Sequence, residues 1–151
     1  MNKIAAVAVS LVLAAGVADA QYKKKPTEAK GKGAQLQPVQ TTTEFRRISR
    51  EDAYKLYQAG QATFIDVRSH ASFSTGHIKG ALSIPGSQII QRFNEVTPGK
   101  MVITYCACDA EQSSGKAVLN LNAHGVKNAA ALKGGYLEWK AARLPIAAGP
   151  R

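Results

Sequence analysis

Between residues 49 and 142 short apolar runs alternate with segments of helical periodicity, and this alternation restricts the chain to one kind of architecture. Ser49 begins a helical segment as a cap, with Asp52 three residues on, Ala53, Leu56 and Tyr57 at helical spacing, and Gly60 as its stop. Ala62 to Val67, Ala81 to Ile84 and Met101 to Tyr105 are too short and too uniformly apolar for surface helices and are expected as buried strands. Further helical stretches are expected at about 86–93, 113–124 and 135–142. Strands alternating with helices form a parallel sheet covered on both faces, an α/β domain. Such sheets hold ligands at the carboxyl ends of their strands, which directs attention to the residues after Tyr105.

A different composition precedes this pattern. Lys3 leads into an uncharged run from Ile4 to Val17, followed by Ala18-Asp19-Ala20. These features read as a signal peptide over 1–20, cut after Ala20, because the run is shorter than the ~20 residues that span a bilayer. Export to a periplasm or to the outside is therefore expected, with no membrane span once the signal is removed. Residues 21–43 carry five lysines among Pro, Gly and Thr and read as a basic flexible linker, followed by a domain over 44–148. The 151 residues have a net charge of +10; residues 21–50 contain eight basic and two acidic side chains, which places most of the excess in this linker and its junction. An acidic partner would suit the Lys-rich segment. Nucleic acid suits it poorly, since Tyr22 is its one aromatic side chain and the chain is expected outside the cell.

The loop after Tyr105 runs Cys106-Ala107-Cys108-Asp109-Ala110-Glu111-Gln112-Ser113-Ser114. A thiol ahead of a helix N-terminus, among converging backbone N–H groups, is placed to be an activated nucleophile. The residues alone leave a second reading open: a structural or redox pair of cysteines, favoured in an oxidising compartment and opposed by the tight Cys-x-Cys spacing. A metal site is not expected, because the two cysteines have no second pair and His70, His77 and His124 show no ligand spacing.

Several blocks together carry a resemblance. They are Phe64-Ile65-Asp66-Val67-Arg68, Phe73-x-x-Gly76-His77-Ile78-Lys79-Gly80-Ala81 with Ile84-Pro85, Tyr105-Cys106, and Leu132-Lys133-Gly134-Gly135-Tyr136-Leu137-Glu138-Trp139 with Leu144-Pro145. In this order and spacing, over about residues 47–146, the chain resembles the rhodanese domain. The resemblance implies a rhodanese-like α/β fold, a five-stranded parallel sheet with helices on both faces. It implies a sulfurtransferase without cofactor, in which Cys106 takes sulfane sulfur from thiosulfate or a persulfide and yields it to cyanide or a thiol. Ala107, Cys108, Asp109, Ala110, Glu111, Gln112 and Ser113 would form the loop that cradles the persulfide. Asp66, Arg68, His77 and Gly80 match the family's first hallmark and Gly134, Gly135 and Trp139 its second, and these are expected to be structural.

The loop departs from the common Cys-x-x-Gly-x-Arg-Ser form. It lacks Gly and Arg and is two residues longer if Ser114 is matched to the usual Ser. The missing Arg removes a fixed charge for thiosulfate, and Glu111, if turned inward, would repel an anion. It also disfavours a phosphatase, whose loop needs that Arg. Register is open as well: the strand end selects Cys106, whereas counting back from Ser114 and Ala117 selects Cys108, which would otherwise be a resolving thiol. A low-turnover sulfur-carrier or protein-binding module, or a Cys-x-Cys redox protein, is the rival expectation.

Overall fold

The structure is a computed structural model and describes residues 44–150, Asp109 by its backbone alone. The expected signal peptide and basic linker, residues 1–43, lie outside the described residues.

In chain order the elements are β1 (Arg47–Ile48), α1 (Arg50–Gln58), β2 (Ala62–Asp66), α2 (His70–Thr75), β3 (His77–Ile78), β4 (Leu82–Ser83), α3 (Ile89–Arg92), β5 (Met101–Tyr105), α4 (Gln112–Ala123), β6 (Ala129–Leu132), α5 (Gly135–Ala141) and β7 (Ile146–Ala147). Five strands make one parallel sheet in the order β1-β6-β5-β2-β4, while β3 and β7 form a separate antiparallel pair. The central strand β5 is flanked by parallel partners, with Thr63 opposite Val102 and Ile103 opposite Ala130.

Side chains alternate across β5, as pleating requires. Ile103 and Tyr105 join Ala53 of α1 and Tyr136 and Trp139 of α5 in one core, whereas Val102 and Cys106 join Ile89 of α3 and Ala117, Val118 and Leu121 of α4 in another. Helices therefore cover both faces of the five-stranded parallel sheet, as expected.

Several boundaries differ from those expected. The strand over 81–84 contracts to Leu82–Ser83, and the helix over 86–93 divides into a 3-10 turn at 86–88, the single turn α3 and another 3-10 turn at 93–95. The breaks fall at Gln88 and Arg92, whose φ of −104° and −120° leave the helical path. The elements β1, α2, β3, β6 and β7 were not anticipated. In β6, Ala129-Ala130-Ala131 has little intrinsic strand preference and becomes a strand because it fills a buried slot beside β5. The helix α1 starts as expected: the Ser49 hydroxyl accepts from the Asp52 N–H at 3.1 Å.

Trp139 is fully buried, packs edge-on against Tyr54, Tyr57 and Phe64 with ring centroids 5.9, 5.8 and 5.3 Å away, and donates its indole N–H to the Pro145 carbonyl at 3.1 Å. Trp139→Ala should lower the unfolding free energy by about 3–5 kcal/mol in urea titrations. A loss below about 1 kcal/mol would show that this aromatic cluster does not anchor the domain.

Candidate functional site

The site begins where β5 leaves the sheet. Tyr105 is the last ladder residue, its carbonyl accepting from the Val67 N–H at 3.0 Å. The next carbonyl, that of Cys106, turns instead to the start of α5 and accepts from the Tyr136 N–H at 2.8 Å. Gly135 lies against this carbonyl with φ +53°, where a Cβ would strike the Cys106 oxygen. Gly134, at φ +68°, supplies the turn before it. Alternation then sends the Tyr105 ring to the α5 face and the Cys106 side chain to the α4 face.

The Cys106 side chain is nearly enclosed, with the residue 3% exposed. Its Sγ accepts from the Cys108 N–H at 3.4 Å and lies 3.7 Å from the Ser114 hydroxyl. Cys106 and Cys108 are joined as a disulfide, with Cα atoms 5.7 Å apart. The positive end of the α4 dipole adds to the field at this sulfur. Of the two serines at the start of α4, Ser114 is buried beside the sulfur, whereas Ser113, expected in the cradle, is exposed, as are Gln112, Ala107, Cys108 and Ala110. The spacing of Ser114, Ala117, Val118 and Leu121 on one helical face carries this information in the sequence.

The loop is fixed by a chain of hydrogen bonds. The buried Thr104 hydroxyl donates to the Ser114 carbonyl at 2.9 Å, and the Ser114 hydroxyl donates to the Glu111 carbonyl at 3.0 Å. Glu111 does not turn toward the sulfur: its carboxylate accepts from Arg47 Nε at 3.2 Å and from the Gly134 N–H at 3.0 Å. Ala110 and Glu111 both have left-handed backbone, φ +57° and +52°, without being glycine. Each such residue costs about 1–2 kcal/mol, which these tethers must hold in place. Arg47, Thr104 and Tyr136 were not anticipated as supports of the loop, because their partners are distant in sequence.

The hallmark residues sit around this frame. Asp66 is fully buried and takes two Arg68 nitrogens, the closest contact being 2.6 Å, and Arg68 also donates to the Gly76 carbonyl at 2.6 Å. Burial opposes the Arg68 charge, but the bonds to Asp66 more than offset it and its pKa is raised. The guanidinium also stacks over the Tyr136 ring, 4.2 Å from its centre. His77 is buried, stacked on Phe73, with Nδ1 2.9 Å from the Phe73 carbonyl. Gly80 forms a turn at φ +84°. Among the described residues, no group of three or more His, Cys, Asp or Glu side chains could hold a metal ion.

A hollow of about 300 Å³ opens outside the loop, lined by Ala107, Cys108, Ala110, Glu111, Gly134, Leu137 and Glu138. A roomier, more apolar hollow of about 510 Å³ lies between Lys100 and Asn128, at the amino-terminal ends of β5 and β6. The smaller one lies at the carboxyl end of β5, where an open parallel sheet places its chemistry.

Residues 49–142 match the rhodanese-like domain family. The chain is 30% identical over 102 residues to thiosulfate sulfurtransferase GlpE of Haemophilus influenzae, covering 68% of this chain and 94% of that protein. It is 32% identical over 102 residues to an HTH-type transcriptional regulator of Mycobacterium tuberculosis, covering 68% of this chain but only 45% of the regulator. The crystal structure of a rhodanese-related protein from Thermoplasma volcanium superposes with a TM-score of 0.60 at 25% identity, covering 68% of this chain and 98% of that one.

Two predictions come from this geometry. Glu111→Ala should release Arg47 and the Gly134 N–H, costing about 1–3 kcal/mol and speeding amide exchange across residues 107–111. Unchanged exchange there would contradict the tether. Burial, reinforced by the charge of Asp66, pushes the Tyr105 phenol above its usual range. The folded chain thus keeps this phenol neutral where an unfolded one ionises near pH ~10, so stability persists below that pH and falls as pH rises above it. Tyr105→Phe should flatten this alkaline loss in stepped-pH denaturation, and an unchanged slope would refute the assignment.

Proposed function

The chain belongs to the rhodanese-like domain family, and on that premise we propose that it is a sulfurtransferase carrying sulfane sulfur on Cys106. The observation that carries this reading is the position of Cys106: its sulfur stands at the carboxyl end of the central strand, against the first turn of α4. In the dithiol form, the Cys106 thiolate attacks the outer sulfur of a donor. With thiosulfate, a bond forms from Cys106 Sγ to the sulfane sulfur, the sulfur–sulfur bond of the donor breaks, and sulfite leaves with the bonding pair. A thiol or cyanide acceptor then removes the sulfur, so one difficult transfer becomes two.

The Cys108 N–H is a donor available to an anionic sulfur at this position, whereas the Ser114 hydroxyl, 3.7 Å away, gives its proton to the Glu111 carbonyl. The Glu111 carboxylate is paired with Arg47 and the Gly134 N–H and so is turned away from the sulfur. With no Arg in the loop, a low-molecular-weight persulfide, less charged than thiosulfate, is the favoured donor. We further propose that 1–20 is a cleaved signal, 21–43 a linker offered to an acidic partner, and 44–148 the domain, working outside the cytoplasm. The rival reading, a sulfur carrier with little turnover, draws support from the match to part of a transcriptional regulator.

Incubating the reduced Cys108→Ser chain, whose one remaining cysteine is Cys106, with thiosulfate or a persulfide should add one sulfur by intact mass. Cys106→Ser should add none and should lower sulfur transfer to cyanide by at least about a thousandfold. Failure of the Cys108→Ser chain to gain sulfur from either donor, or full loading of Cys106→Ser, would end this reading.

A further inference from the structure

We infer that Cys108 is an internal acceptor that reduces the sulfur carried by Cys106 and releases it as hydrosulfide. This deepens the sulfurtransferase reading and rests on it. The first observation is the pairing itself. The disulfide joins Cys108 to the Sγ of Cys106, which becomes the inner sulfur of a persulfide once Cys106 is loaded. The loop thus has a conformation that delivers a second thiol to that atom, with a Cα separation of 5.7 Å that suits a bond between the two residues.

The second observation is the asymmetry of burial. Cys106 is 3% exposed and closed in by α4, whereas Cys108 is exposed and lines the hollow outside the loop. An acceptor approaching through that hollow meets Cys108 first. The Cys108 N–H on Cys106 Sγ, 3.4 Å away, turns the loop over the reacting sulfur, and Glu111 fixes its far end to Arg47 and Gly134. A thiol held in this way has the advantage of a neighbouring reactant over one arriving from solution.

The step balances without any added oxidant. The Cys108 thiolate, its proton lost to water, attacks Cys106 Sγ. The Cys108–Cys106 bond forms, the bond from Cys106 Sγ to the sulfane sulfur breaks, and that sulfur leaves with the pair as hydrosulfide. The two cysteine sulfurs are together oxidised by two electrons and the sulfane sulfur is reduced by two. A dithiol reductant reopens the disulfide by exchange and is itself oxidised. With thiosulfate as donor, one turn converts thiosulfate and a dithiol into sulfite, hydrosulfide, a proton and a disulfide.

The test uses the reduced full chain, freed of reductant and given thiosulfate, or a persulfide if only that loads it, with intact mass and hydrosulfide followed together. The wild-type chain should release one hydrosulfide per protein and end two hydrogens lighter than the dithiol form. Cys108→Ser should retain one added sulfur and release hydrosulfide at least about a hundredfold more slowly. Cys108→Ala should behave likewise, and since residue 108 is exposed neither change burdens the core. Equal retention of sulfur by the wild type and Cys108→Ser, without hydrosulfide, would overturn this inference and leave the sulfurtransferase reading standing. Failure of every one of these proteins to load would overturn both.

Discussion

The contact on which the site depends is between two backbones: the Cys106 carbonyl meeting the Tyr136 N–H across a Gly135 that has no side chain to intervene. It ends the β5 ladder at Tyr105, and pleating does the rest. One residue inserted into or deleted from β5 would reverse the faces, sending the sulfur toward the aromatic cluster of α1 and α5 and away from α4. The paired glycines at the start of α5 thus act on a cysteine nearly thirty residues upstream. Their role is to let two chain segments touch.

Around that contact the sheet and the loop are stabilised by different means. The sheet is held by burial on both faces, with β5 wholly enclosed and Trp139 locked among three other aromatic rings. The loop has little apolar surface to bury. It is held by directional bonds, Thr104 to Ser114, Ser114 to Glu111, and Glu111 to Arg47 and Gly134, against two residues in left-handed backbone. The partly enclosed carboxylate of Glu111 is satisfied twice, which is the condition for such a charge to be kept away from water.

What was legible in the sequence follows this division. The strand Met101–Tyr105, the cap of α1 at Ser49, the apolar face of α4 and the family blocks around Asp66, Gly80 and Gly134 are local patterns and could be read directly. The strand β6 could not, because three alanines state no preference until β5 lies beside them. The two-residue strands β1, β3 and β7 are too short to have a period. Within the site, the choice between Ser113 and Ser114 was available from helical spacing, but the direction of the Glu111 side chain was not. That direction is set by residues 64 positions before it and 23 after it.

The Glu111 tether also bears on how such a loop can be inherited. Its shape is encoded in three separated places: the first strand, the loop itself and the glycine turn before the last helix. A graft of residues 106–114 onto another sheet of the same architecture would carry the two cysteines but leave behind both anchors of the carboxylate. The left-handed pair at 110 and 111 would then keep the Ser114 bond but lose both carboxylate anchors, and the graft would relax toward a different path. Loop, Arg47 and the Gly134 turn form a single heritable unit, although the chain writes it in three pieces.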